Sequence, residues 1–424
     1  MDLRDKKNLV LVLGSFYPFP SAIGEIAASF ADFLKDDYKI SVICIQKADK
    51  KASGLFWKNT EVYSLTQTRL RWTQLAEEKS QKSKSPFKKM FYRLIRDFMR
   101  GIGKIQSTFF YIDNCYWYSK KAKKQLDKLN SKNRIDAVIS LSSPIESHFA
   151  SRKFKKENPD VRWVAYFGDP FVNPQFKKNI FISMKTLERI QSDIIENADY
   201  ALMTEEIYEK WNPKHAHCGK KTAALPYILK EDIFKNSSCS EINFDSSNIH
   251  VVYAGAFYKD IRNPEYALKV FDAATRRSDI MLHLFSQGNC GDTVEKYSQK
   301  SGGKIINHGI VSKEELLSIY KKADALLNIG NSTDAYNPSK VFEYISTCKP
   351  IISFYQNGLV SNELSRYPFA VQIGFDGDID ADAEKIISFC SSTLNQSADF
   401  AELENLYHEH TAKSIKNKLE IALK

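Results

Sequence analysis

The sequence predicts an α/β protein built from two doubly wound, largely parallel sheets. Three observations carry this expectation. Short apolar runs alternate with helix-patterned segments along most of the 424 residues, as buried parallel strands with covering helices do. The runs fall into two series. A polar stretch at 235–248, KNSSCSEINFDSSN, separates the series and reads as a linker.

The first series opens with the strand NLVLVLG, Asn8 to Gly14. The helix SAIGEIAASFADFLKD follows, with Ile23, Ile26, Ala27, Phe30, Phe33 and Leu34 on one face. ISVICIQ, IDAVISLS, VRWVAYFG and YALMT are the next strands, with helices between them. The second series runs through IHVVYAG (Ile249 to Gly255), IMLHLFS, KIINHG, ALLNIG, PIISFY and FAVQIG. The expected division is a first domain at 1–234, a second at 235–398, and a closing helix at 399–424.

Composition bounds the class. Hydrophobic content of 43% and charged content of 26% belong to a globular chain long enough for two cores. Seven scattered cysteines with no C-x-x-C pair argue for a reducing compartment, and against a disulfide frame or zinc site. No apolar run reaches the ~18 residues of a membrane span. The start, MDLRDKKNLVLVLG, reads as a first strand rather than a signal peptide.

The most informative motif is NPSKVFEYISTCKPII, Asn337 to Ile352, directly after the apolar strand. Asn337 is a good N-cap and Pro338 fits the first helical position. Ser339 and Lys340 then carry backbone N–H groups without intrahelical partners, at the positive end of the helix dipole. That end is an anion site, and phosphate is the natural anion. Glu343 lies one turn deeper than Ser339, on the same face. Phosphate at the tip and a carboxylate behind it suit a nucleotide, with Glu343 accepting from ribose hydroxyls. A plainer reading stands beside this: strand, Pro-started helix and strand occur in any α/β domain, and Glu343 can pair with Lys340 at i,i+3.

Three further segments border strand ends. The loop SFYPFPSAIG after Gly14 contains Gly24, where backbone can approach a ligand closely, although an ordinary βα turn reads equally well. Asp169 follows the strand VRWVAYFG, where open α/β sheets face their ligand crevice. It either orients or deprotonates a ligand hydroxyl, or serves as a helix N-cap or turn aspartate. YAGAFYKDIRNPEYALKVF opens the second series, with Gly255, Lys259 and Arg262. His148 sits within a helix pattern and reads as structural. His215 and His217 lack metal-ligand spacing.

Charge is concentrated. The chain carries a net +10, and residues 79–104 hold nine basic residues against one acidic, Asp97. Phe87, Met90, Phe91, Leu94, Ile95, Phe98, Met99, Ile102 and Ile105 recur through this stretch at steps of three and one. This is a basic amphipathic helix near 87–105, suited to an anionic membrane surface or to packing on the first domain. No nucleic-acid recognition motif accompanies it.

The segments Gly255 to Arg262 and Ser339 to Pro350 resemble the donor-binding signatures of family 4, or "group 1", retaining glycosyltransferases of the GT-B fold. The match is to the subset that runs P-S-K-hydrophobic-x-E-Y. The resemblance implies two Rossmann-like domains facing a cleft, the first binding acceptor and the second a nucleotide-sugar donor, with the closing helix at 399–424 crossing back onto the first domain. It implies that Glu343 binds the donor ribose and that Ser339 and Lys340 lie along the diphosphate. Gly255 would end a strand there, Lys259 and Arg262 would clamp the diphosphate, and Gly24 would lie beside the phosphates. Asp169 would stand on the acceptor side. Retention of configuration and no bound metal or resident cofactor follow, the substrate being a UDP- or GDP-linked sugar. The chain departs from the family at two points: Ala335 replaces the first glutamate of E-x7-E, and Ala256 replaces the first basic residue of the clamp. The expected acceptor is a saccharide, or a lipid-linked saccharide of bacterial surface or exopolysaccharide assembly at the inner face of the cell membrane. Two other readings remain: a non-catalytic subunit that activates a partner transferase, and a nucleotide-sugar epimerase.

Overall fold

The computed structural model describes residues 6–17, 21–46, 53–58, 60–83, 85–109, 116–169, 172, 181–211, 221–235, 237–332, 340–358 and 360–424. The chain divides into two compact units. One comprises residues 1–226 with 415–424, the other 227–414.

The first unit holds β1 (Lys7–Val12), α1 (Ala22–Leu34), β2 (Tyr38–Gln46), β3 (Ser53–Trp57), β4 (Thr60–Thr66), α2 (Thr68–Lys82) and α3 (Pro86–Phe109). It continues through α4 (Tyr116–Lys132), β5 (Ala137–Ser142), α5 (Glu146–Glu157), β6 (Arg162–Phe167), α6 (Met184–Asn197), β7 (Tyr200–Met203), α7 (Glu205–Trp211) and β8 (Thr222–Ala224). Its eight strands lie in the order β3-β4-β2-β1-β5-β6-β7-β8. All pairs are parallel except β3 with β4. That antiparallel edge pair was not anticipated. SGLFW and TEVYSLT lack the continuous apolar run that marks buried strands.

Central strands are apolar on both faces because helices cover both. In β1, Leu9, Val10, Leu11 and Val12 are all buried. The Ser140 hydroxyl accepts from Trp163 Nε1 at 2.8 Å and meets His148 Nδ1 at 2.7 Å. Burial pushes the His148 pKa down to about 3. A neutral imidazole packed on Phe167 therefore tests as a core group, as its helix pattern implied.

The second unit holds β9 (Ile249–Phe257), α8 (Glu265–Arg277), β10 (Ile280–Gly288), α9 (Gly291–Lys300), β11 (Ile305–Asn307), α10 (Lys313–Lys322) and β12 (Ala325–Ile329). Then come α11 (Lys340–Ile345), β13 (Ile351–Tyr355), α12 (Asn362–Arg366), β14 (Ala370–Gly374), α13 (Ile379–Thr393) and α14 (Phe400–Leu406). Its parallel sheet runs β11-β10-β9-β12-β13-β14. Residues alternate between two cores: Val251, Tyr253 and Leu282 on one face, Val252, Ala254 and Leu326 on the other. The polar stretch before β9 is not a linker. Ile242 and Phe244 pack into the second unit, so the division falls at Pro226–Tyr227.

The closing helix expected from 399 is three pieces: α14, a 3-10 turn at His408–His410, and α15 (Ala412–Leu423). His410 breaks it. Its Nδ1 meets the Tyr227 carbonyl at 2.8 Å and its ring stacks on Phe342 at 4.0 Å. α15 belongs to the first unit, where Ile415 and Leu419 are buried. Arg162 Nε donates to the Ala422 carbonyl at 2.9 Å, and Lys418 Nζ to that of Ala224 at 3.0 Å.

Candidate functional site

Strand order reverses at β9 in the second unit, with β10 on one side and β12 on the other. The crevice beyond such a switch point is where open α/β sheets bind ligands. The chain leaves β9 through a tight loop closed by paired backbone bonds, Tyr258 N–H to the Arg262 carbonyl at 3.1 Å and Arg262 N–H to that of Tyr258 at 2.8 Å. Lys259 lies exposed on this loop, and its N–H donates to Asn289 Oδ1 at 3.0 Å. Ser332, just past β12, ties the loop down: its N–H donates to the Ile261 carbonyl at 2.7 Å and its hydroxyl to that of Asp260 at 2.9 Å.

Arg262 is therefore held at the switch point. Its Nε donates to Asn331 Oδ1 at 3.1 Å. The guanidinium also faces Tyr253, whose hydroxyl is pushed up to about 12 by burial while the Arg262 charge pulls the other way. Gly255 does not end its strand. β9 continues to Phe257, and a Cβ at Gly255 would meet only the movable Tyr253 ring tip at 2.9 Å.

Lys340 and Glu343 come from α11. The i,i+3 pair of the plainer reading does not form between them. The Lys340 ammonium donates to the Ala254 carbonyl of β9, and Glu343 Oε2 pairs with Lys313 at the start of α10. Glu343 Oε1 is buried and meets no hydrogen-bond donor among the described residues. Burial alone would raise this carboxyl. The charges of Lys313, Lys340 and Lys230 outweigh burial and hold it below the usual carboxylate range. Glu343 is thus an ionised, mostly buried acceptor with one oxygen open, inside a ring of lysines. Buried polar atoms are rarely left unpartnered in a folded protein, so an open oxygen of this kind marks a place for a donor. The anion site expected at the tip of this helix, Asn337 to Ser339, lies outside the described residues, as do Asp334 and Ala335.

In the first unit, strand order reverses at β1, between β2 and β5. Ser21 caps α1: its Oγ accepts from Gly24 N–H at 3.1 Å and donates to the Ser15 carbonyl at 3.2 Å. A Cβ at Gly24 would stand 2.8 Å from that carbonyl oxygen and 2.8 Å from Ser21 Oγ. The glycine is therefore required by the packing of its own loop. Asp169 lies two residues beyond β6, in a bend, and is exposed. Its carboxylate adds to burial in raising the Tyr166 hydroxyl. The next described helix, α6, is capped by Ser183. A Cβ on Gly168 would touch Ile23 of α1 at 3.3 Å, so Asp169 leaves β6 beside the start of α1.

Sequence reasoning missed Lys313, Lys230, Asn289 and Asn331. Lys313 stands 30 residues before Glu343 and carries no local signal. Asn331, one residue past a buried strand at a switch point, could have been found. His215 and His217 lie outside the described residues. Among the described residues no group of three or more His, Cys, Asp or Glu could hold a metal ion.

No family model matches the sequence, and no curated protein matches it. Solved structures do match. Sucrose-phosphate synthase from Thermosynechococcus elongatus superposes with a TM-score of 0.62 at 10% identity, covering 98% of each chain. Trehalose-6-phosphate from E. coli bound with UDP-2-fluoro glucose gives 0.60 at 12% identity, over 98% of this chain and 99% of that one. The lipopolysaccharide outer core galactosyltransferase WaaB, in apo form, gives 0.54 at 13% identity, over 98% and 99%. At these identities the likeness defines the fold. The chain has the GT-B glycosyltransferase fold, over its whole length.

Proposed function

We propose that this protein transfers a sugar from a nucleoside-diphosphate sugar to an acceptor hydroxyl, with retention of configuration and without a resident metal or cofactor. The observation that carries the proposal is Glu343, a buried, ionised carboxylate with one unpartnered oxygen, in the same unit as Arg262. A vicinal diol of a ribose supplies the donors that oxygen lacks. Arg262, Lys259 and Lys340, with Ser339, would receive the diphosphate. As the glycosidic bond breaks, its electron pair leaves with the diphosphate, and aimed cations stabilise that charge. The acceptor oxygen bonds to the anomeric carbon and loses its proton, which Asp169 is suited to take. In this reading Gly24 lies beside the phosphates and Gly255 in the strand that leads to Arg262.

In this reading the donor is UDP- or GDP-linked. The acceptor is a saccharide, or a lipid-linked saccharide of bacterial surface or exopolysaccharide assembly. The protein then works on the cytoplasmic side, at the inner face of the cell membrane. Support for the saccharide chemistry comes from structural neighbours solved with UDP-2-fluoro glucose and with glucose-6-phosphate. A second reading is favoured by Ala256 and Ala335, which stand where the clamp cation and first glutamate of the resembled family would be. Here the chain is a non-catalytic subunit that activates a partner transferase.

Thermal-shift measurements with UDP, GDP, ADP, CMP and their sugars, with and without EDTA, test the donor site. One base should shift the melting point regardless of EDTA, by roughly 2.7 kcal/mol of stability at a hundred times its dissociation constant. No shift with any nucleotide in folded protein removes the donor-site reading and favours the subunit.

A further inference from the structure

The helix α3 carries an apolar stripe that nothing described in the fold covers. Phe87, Met90, Phe91, Leu94, Phe98 and Ile105 are each between 53% and 73% exposed. At 3.6 residues per turn they fall within an arc of about 100° on one side of the helix. The opposite side is occupied. Arg96 Nη1 and Arg100 Nη2 reach Glu77 of α2 at 3.2 and 2.7 Å, and Lys79 of α2 lies over the Tyr92 ring at 5.7 Å. The stripe is therefore the edge of the α2–α3 hairpin that faces away from α2. Trp72 of α2 and Trp117 of α4 are also more than half exposed.

Charge selects the occupant. Lys89, Arg93, Arg100 and Lys104 line one flank of the stripe, all exposed, and Asp97 is the only acid on the helix. A second copy laid on the stripe would bring two basic bands together, a like-charge contact that costs stability. An anionic bilayer accepts both features, apolar side chains below the headgroups and cations among them. Spanning is excluded for this helix, since no helix among the described residues is long and apolar enough to cross a membrane. We infer that the α2–α3 hairpin lies in the plane of an anionic phospholipid surface, with Phe87, Phe91, Leu94 and Phe98 inserted at the headgroup boundary. This deepens, and rests on, the membrane-face part of the proposed function; it does not depend on the donor site.

Vesicle flotation of the full chain tests it. Vesicles of phosphatidylcholine with phosphatidylglycerol should carry the protein, and phosphatidylcholine alone should not. Raising salt from about 0.1 M to about 1 M shortens the screening length from ~10 to ~3 Å and should release much of it. The triple variant Phe91→Ser, Leu94→Ser, Phe98→Ser should lose partitioning by more than about tenfold, while keeping its melting point and any nucleotide shift. Arg93→Glu with Lys104→Glu should remove the lipid preference. Three results overturn the inference: no flotation of the wild type, undiminished flotation of the triple variant, or a wild-type dimer that the triple variant dissolves. A nucleotide shift lost with flotation intact would count against the donor site alone.

Discussion

Replacing Glu343 by glutamine removes a charge and keeps the shape. The carboxylate has Lys313 on one oxygen and nothing on the other, with Lys340 and Lys230 adding to the positive field around it. Two losses are expected. The first is stability. Lys313 is left partly buried beside a neutral amide, a loss of about 1–3 kcal/mol for a hydrogen-bonded charge. Because the carboxyl is held below its ordinary value of 4.5, that contribution is fully present above pH 4.5 and disappears only in more acid solution. The second loss is ligand binding. A charge-assisted bond from a ribose hydroxyl to Oε1 contributes about 2 kcal/mol, so the dissociation constant rises roughly 30-fold. A ligand concentration of a hundred wild-type dissociation constants becomes about 3–4 of the variant's. The ligand-induced stabilisation falls from about 2.7 to about 0.9 kcal/mol. Melts at fixed nucleotide concentration, each against its own unliganded control, separate the two losses. A variant that keeps the full wild-type shift refutes the role of Glu343. A variant that loses stability but not the shift makes the carboxylate a partner for Lys313 and nothing more.

Acidification should destabilise the protein before its carboxylates titrate. Burial pushes His148 and His283 down to about 3, and it also lowers His308 and His410. Below pH 6.5 His148 and His283 stay neutral when folded but take up a proton when unfolded, and the lowered His308 and His410 act in the same direction, so stability is present above about 6.5 and falls as pH drops below it, by up to about 1.4 kcal/mol per unit per group. Denaturant melts at pH 7.0, 5.5 and 4.5 check the slope, and a flat profile would contradict the burial. Gly24→Ala should cost about 1–3 kcal/mol, because its Cβ meets backbone at 2.8 Å. Gly101→Ala, with nothing within 4 Å, should be neutral or stabilise α3 by about 0.5–1 kcal/mol; the two melting points, measured side by side, decide it.

The central strands β9, β12 and β13 of the second unit were legible because they are buried on both faces, which forces a continuous apolar run. The edge pair β3–β4 was not, because its sequence carries no such run. The helix pattern from 399 was sound locally, yet His410 left it for a carbonyl 183 residues away. Arg262 was visible as a cation after a strand. Its aim was not, because Asn331 holds it across 69 residues.

The sequence by itself determined the alternation of strands and helices, the GT-B resemblance and the basic amphipathic stripe of α3. All three depend on periodicity and local residue chemistry, and both are written along the chain. The tertiary structure decided the partners: Lys313 rather than Lys340 on Glu343, α15 returned to the first unit, and the apolar edge of α3 left facing outward. Ion pairs and burial are set by distance in space, and a buried charge takes whichever opposite charge the packing brings within reach.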